Sequence, residues 1–190
     1  MVTESLEQAF ATTRSVLENV KPDQLDGPTP CASWDVRTLV NHIVGGSHWF
    51  AISTENGASP DGDDAVTDWT AGDFVAAFDE GAKRTVAAFN APGALEKMIK
   101  LPFGTFPGAA FMGLATTDTF VHGWDLARAT GQPASELDPA LAEQLLAGAK
   151  ASIPDAFRGP DGVAPFGPEV PLDDSAPAAD RLAAFLGRRV

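Results

Sequence analysis

The chain is poor in cysteine, histidine and basic residues. It has one cysteine and three histidines in 190 residues, and 13 Lys and Arg against 26 Asp and Glu. A single thiol, Cys31, excludes an intrachain disulfide and any multi-thiolate zinc site. The net charge of −13 opposes nucleic-acid binding, which draws on Lys and Arg against phosphate, and opposes docking on anionic membranes. No nucleic-acid or membrane partner is expected. No apolar run reaches the roughly 20 residues that a helix needs to span a bilayer. The first residues, Met1-Val-Thr-Glu-Ser-Leu-Glu7, are acidic where a secretory leader is basic, so the chain reads as cytoplasmic. Nucleotide-binding glycine motifs, a serine nucleophile elbow and the HExxH zinc motif are also missing.

The chain does have helical periodicity. Leu6, Phe10, Leu17 and Val20 predict a helix over about residues 3–20, stopped by Pro22. Ser33 is placed to cap a second helix reaching about residue 54, with Val36, Leu39, Val40, Ile43, Ser47 and Phe50 on its buried face. A Gly-, Asp- and Ser-rich loop is expected over 53–68. Thr70-Ala-Gly-Asp73 resembles a capping box for a third helix to about Asn90. Residues 96–101 read as a short strand and 102–108 as a tight loop, leaving room for one small hairpin. A fourth helix, about 109–130, is apolar nearly all round and should be the most buried. Asp138-Pro139 starts a fifth helix. Residues 153–177 read as an extended loop and 178–188 as a last short helix. The expected fold is all-α, a four-helix bundle over 1–152, with 153–190 as an appendage packed on the same domain.

Asp118 and His122 are four apart on the fourth helix, so they point the same way, about 40° apart. They extend the stripe of Phe111, Leu114 and Ala115, where polar groups must be paired or coordinate something. Of the other histidines, His42 falls near Leu39, Gly46 and Trp49 on the wheel and can face a pocket. His48 falls beside Arg37 and Asn41 and should meet water. His42, Asp118 and His122 therefore make a candidate metal trio with open positions. Zinc is the expected metal, although the ligand set does not separate Zn²⁺ from Ni²⁺, Fe²⁺ or Mn²⁺. The alternative is that His42 bonds a backbone carbonyl and Asp118–His122 is a structural pair. Gly45 and Gly46 fit either room beside His42 or a close helix crossing. Asp125 either orients a ligand imidazole or, as preferred here, pairs with Arg128. Cys31 is expected to be a small buried hydrophobe, since no basic group is near it in sequence. The four tryptophans, Trp34, Trp49, Trp69 and Trp124, are expected in the core or the pocket wall, with Trp49 and Trp124 nearest the site.

Three segments resemble a known family. Thr29-Pro-Cys-Ala-Ser-Trp-Asp-Val-Arg-Thr-Leu-Val-Asn-His-Ile-Val-Gly-Gly46 is similar to the second-helix motif of the mycothiol-dependent maleylpyruvate isomerase N-terminal family. Asp118-Thr-Phe-Val-His-Gly-Trp-Asp-Leu-Ala-Arg-Ala-Thr-Gly131 resembles its ligand-bearing helix. Phe166-Gly-Pro-Glu-Val-Pro171 with Asp180-Arg-Leu-Ala-Ala-Phe-Leu-Gly187 is similar to the C-terminus of its single-domain actinobacterial branch. The resemblance implies a DinB-like (DinB/YfiT superfamily) four-helix bundle with a divalent metal on His42, Asp118 and His122. Related members carry Glu where this chain has Asp118, one methylene shorter. It also implies mycothiol, a small-molecule thiol, as co-substrate in isomerisation or S-transfer on an electrophile. A metal-dependent hydrolase and a non-enzymatic binding or stress protein are the competing functions. Homodimerisation stays open.

Overall fold

The computed structural model describes residues 2–60, 67–160, 163, 164 and 166–190. It is an all-α DinB-like bundle with one small hairpin. Four long helices form the body: α1 (Glu4–Leu17), α2 (Val36–Asn56), α3 (Phe74–Phe89) and α4 (Gly108–Ala129). In α1 the buried residues Leu6, Ala9, Phe10, Thr13, Val16 and Leu17 follow the helical period, which gives one apolar stripe. That stripe packs chiefly on α4, while α2 packs chiefly on α3. Gly81 lets the second pair close up. A Cβ there would stand 2.0 Å from Ser47 Oγ and 2.9 Å from Ser47 Cβ.

The helix starts correct the sequence reading in two places. The cap of α2 is Asp35, which accepts the Thr38 N–H at 2.8 Å, so Ser33 is not the capping residue. The cap of α3 is Asp73, accepting from Ala76 N–H. Thr70 instead belongs to a short 3-10 turn, Trp69–Ala71. The helix α2 also runs two residues further than expected and ends at Gly57 with φ 75. The expected loop over 53–68 is therefore helical at its start, and its residues 61–66 lie outside the described residues.

Strand β1 (Met98–Leu101) pairs antiparallel with β2 (Gly104–Pro107). Part of the expected tight loop 102–108 is thus a second strand. The hairpin is anchored because Ile99 and Leu101 point into the core and Lys100 exchanges backbone hydrogen bonds with Gly57 and Ser59. It leads directly into α4, the most buried helix. Thirteen of its residues are buried, including Phe120 and Trp124. Leu114 is an exception to the expected stripe and is exposed.

Helices α5 (Pro139–Ser152) and α6 (Ala178–Phe185) pack on each other, and α6 also touches α4. Asp138 caps α5 through Leu141 N–H, with Pro139 in its first turn. Asp180 of α6 accepts from Trp124 Nε1 at 2.9 Å and from Ser135 Oγ at 2.7 Å. Arg158 ties the connecting segment down. Its guanidinium lies 4.4 Å from the Phe185 ring centroid and donates to the Phe185 and Gly167 carbonyls. Of the expected 153–177 loop, residues 161, 162 and 165 lie outside the described residues.

Candidate metal centre

His42 sits two turns into α2, and Asp118 and His122 sit one turn apart on α4. Packing of α2 against α4 brings the three together. His42 Nε2 is 3.6 Å from Asp118 Oδ2, and His122 Nε2 is 3.5 Å from Asp118 Oδ1. All three donor atoms lie within 4.8 Å of one another. The two imidazoles meet edge to face, with centroids 4.5 Å apart. His42 Nε2 is buried and, among the described residues, has no hydrogen-bond partner. The alternative in which His42 bonds a backbone carbonyl therefore has no counterpart at Nε2.

Exposure grades across the site. The Asp118 and His42 side chains are 29% and 36% exposed, His122 only 11%. Burial opposes the charge on Asp118, but the positive His122 and its hydrogen bond outweigh it and hold the carboxyl far below its ordinary range. Burial likewise opposes the charge on His122, and the Asp118 carboxylate overcomes it, raising that imidazole well above its usual range. Trp34 covers both rings, at 4.7 Å from His42 and 5.5 Å from His122.

Behind His122 lies a second set of groups. Its Nδ1–H donates to Asp125 Oδ2 at 3.1 Å, because a carboxylate can only accept. Asp125 has no exposed surface and also receives the Arg188 guanidinium at 3.1 Å and the Cys31 S–H at 3.3 Å. Burial works against the charge on Asp125, but Arg188 first and then His122 lower its pKa all the same. Cys31, His122 and Asp125 have the composition of a metal site. The Arg188 guanidinium, however, lies 3.1 Å from Asp125 and 4.0 Å from Cys31 Sγ. That cluster already holds its cation.

Several sequence expectations change here. Asp125 pairs with His122 and Arg188, not with Arg128, which is exposed and stands 5.6 Å from the Trp124 ring centroid. Cys31 is half-buried with polar partners, since its basic neighbour comes from the other end of the chain. His48 meets water only in part. Its Nε2–H donates to the Ala77 carbonyl at 3.0 Å and its ring stacks on Trp69 at 5.0 Å. Trp124 lies in the core and Trp49 packs on Phe50 and Phe111, so the tryptophan at the site is Trp34. Gly45 and Gly46 make no tight crossing, since a Cβ on either would meet its nearest neighbour at 3.6 or 3.8 Å. Sequence reasoning ranked Trp34 behind Trp49 and Trp124, and missed Arg188. Trp34 was readable as the residue before the Asp35 cap, but Arg188, 63 residues from its partner, left no local signal.

Comparison with known proteins gives one family and two near relatives. Residues 6–127 match the model of the mycothiol maleylpyruvate isomerase N-terminal domain. Two uncharacterized proteins of Mycobacterium tuberculosis, one from each of two strains, are 44% identical to this chain. The alignment covers 100% of this chain and 97% of each relative. No solved structure matches the chain.

Proposed function

Since the chain belongs to the mycothiol maleylpyruvate isomerase N-terminal domain family, we propose that His42, Asp118 and His122 hold one divalent metal ion. The ion, zinc in our reading, serves a reaction between a small thiol of the mycothiol class and an electrophile, an isomerisation or an S-transfer. One observation carries the metal reading: His42 Nε2 is a buried nitrogen with no hydrogen-bond partner among the described residues, converging with two further donors. A buried polar atom without a partner costs free energy unless something meets it. Donors bound to one zinc ion at about 2.0–2.2 Å stand roughly 3–4 Å apart, and the pairs at 3.5 and 3.6 Å have that spacing. Two imidazoles and one carboxylate also leave coordination positions open.

The bound ion would supply positive charge that keeps a thiol ionised, the form that attacks electrophiles. The chain's own residues do the rest. Asp118 faces both histidines and balances charge. Asp125 holds the His122 ring by Nδ1, so its Nε2 lone pair faces the site. Trp34 shields both rings from water on one side. The partly exposed Asp118 and His42 mark the side from which a small molecule enters.

The test is metal content after purification without chelator, followed by calorimetric titration with mycothiol. His42→Ala should lose the metal and His48→Ala should keep it. Thiol binding should need the metal and release protons. Equal metal content in both variants overturns the trio. No metal-dependent thiol binding at millimolar concentration overturns the thiol reading, and turnover without thiol would favour a hydrolase.

A further inference from the structure

The C-terminal tail reaches the back of the candidate metal trio through one residue. After α6 the chain turns at Gly187, whose φ of 92 lies in the left-handed region. A Cβ at this position would also stand 2.5 Å from the Gly167 Cα, so the turn needs glycine on two counts. Beyond it, the Arg188 N–H donates to the Ala183 carbonyl at 3.0 Å. The side chain folds inward and is only 14% exposed. Its Nε donates to Asp125 Oδ1 at 3.3 Å and its Nη2 to Oδ2 at 3.1 Å, while Nη1 donates to the Leu186 carbonyl at 3.2 Å.

We propose that Arg188 is a positioning residue that sets the metal affinity of the site from behind, by clamping Asp125 against His122. The inference rests on the metal reading above and extends it to the tail. A carboxylate with no exposed surface needs a partner charge. A planar guanidinium that meets both carboxylate oxygens fixes the plane of the carboxylate as well as its charge. Asp125 then fixes the His122 ring and the nitrogen that bears its hydrogen, which leaves Nε2 for the cation. Arg188 also decides between two overlapping donor sets. His122 belongs to both, and the guanidinium fills the inner one, so an added cation is directed to the outer one.

The experiment is a zinc competition titration against a chromophoric chelator, using the full chain and the variants Arg188→Ala, Arg188→Lys and Arg158→Ala. Loss of such a supporting partner typically weakens metal binding about 10- to 100-fold, and that is the expectation for Arg188→Ala. Lysine keeps the charge but not the two-point contact, so Arg188→Lys should recover part of the loss. Arg158→Ala loosens the same tail without touching Asp125. It should lower Tm and leave zinc affinity unchanged. With cobalt in place of zinc, the visible bands should shift in the Arg188 variants only. Unchanged zinc affinity in a folded Arg188→Ala or Arg188→Lys protein overturns the proposal, as does an equal loss in Arg158→Ala, which would make the tail simple packing. A wild-type protein that takes up no metal overturns the site reading itself, and that result is distinct from a metal-binding wild type with insensitive Arg188 variants.

Discussion

His122 has a carboxylate on each side, and the two differ in every respect that matters. Asp125, behind Nδ1, is fully buried and receives three kinds of donor: an imidazole N–H, a guanidinium and a thiol. Asp118, in front of Nε2, is 29% exposed and, among the described residues, meets two imidazoles, at 3.5 and 3.6 Å. The rear carboxylate is saturated and belongs to the fold. The front one is loosely engaged and can be shared with an added cation. One imidazole thus joins a structural network to an open site, and the two carboxylates should be separable by experiment.

The largest expected effect is on stability and falls on the rear side. Asp125→Ala strands the Arg188 guanidinium in the interior, and breaking a buried pair in this way costs about 3–5 kcal/mol. Urea unfolding of metal-free protein measures it. Asp118→Ala should cost clearly less, since that carboxylate is 29% exposed and water can take its place, yet abolish metal uptake. If Asp118→Ala destabilised the protein as much as Asp125→Ala, the distinction between the two sides would fail.

Acidity sharpens the same contrast on the front side. His122 is raised, so in metal-free protein its contribution is complete below the unfolded value of about 6.5 and is lost as pH climbs through the folded one. Asp118 is lowered, so its contribution is complete above about 3.9 and is lost as pH drops through its folded value. Their pair is at full strength between about pH 4 and 6.5. His122→Gln should therefore destabilise metal-free protein more at about pH 5.5 than at about pH 9, read from urea midpoints. Metal affinity should move in the opposite sense. It should rise with pH by roughly tenfold per unit for each proton displaced, until the His122 proton is gone. A pH-independent zinc affinity over this range would contradict the assignment of His122 as a ligand.

The other comparison is between the two histidines of α2. His48→Gln removes a hydrogen bond to Ala77 and the stacking on Trp69, and should cost about 1 kcal/mol with metal content intact. Smallest of all is the response of secondary structure to chelator. Phe10, Leu39, Phe78 and Phe89 are buried in the core, each worth roughly 1.5–3 kcal/mol, so the bundle should hold without a bound metal. Far-UV circular dichroism should be the same with and without chelator; loss of helix on metal removal would refute this.

What could be read in the sequence follows from physical range. The four long helices repeat an apolar residue every three or four positions, and the Asp118–His122 spacing lies within one turn, so both were legible. The facing of His42 was legible from its wheel neighbours. The partner of His48 was not legible because the wheel of α2 says nothing of α3, which supplies the Ala77 carbonyl. Asp125 was assigned to Arg128 because that partner is three residues away, whereas Arg188 arrives only when α6 packs against α4. The second strand was hidden because a four-residue segment with only a partly buried Phe106 carries little alternation.

Trp34 gives the molecule an optical consequence. The chain has four tryptophans and no tyrosine, so its near-ultraviolet emission comes from indole alone. Trp124 is sealed in the core, away from solvent. Trp34 lies 4.7 Å from the His42 ring, close enough for an excited indole to be quenched by an imidazolium or by a heavy ion beside it. The chain therefore carries its own lamp beside the candidate site.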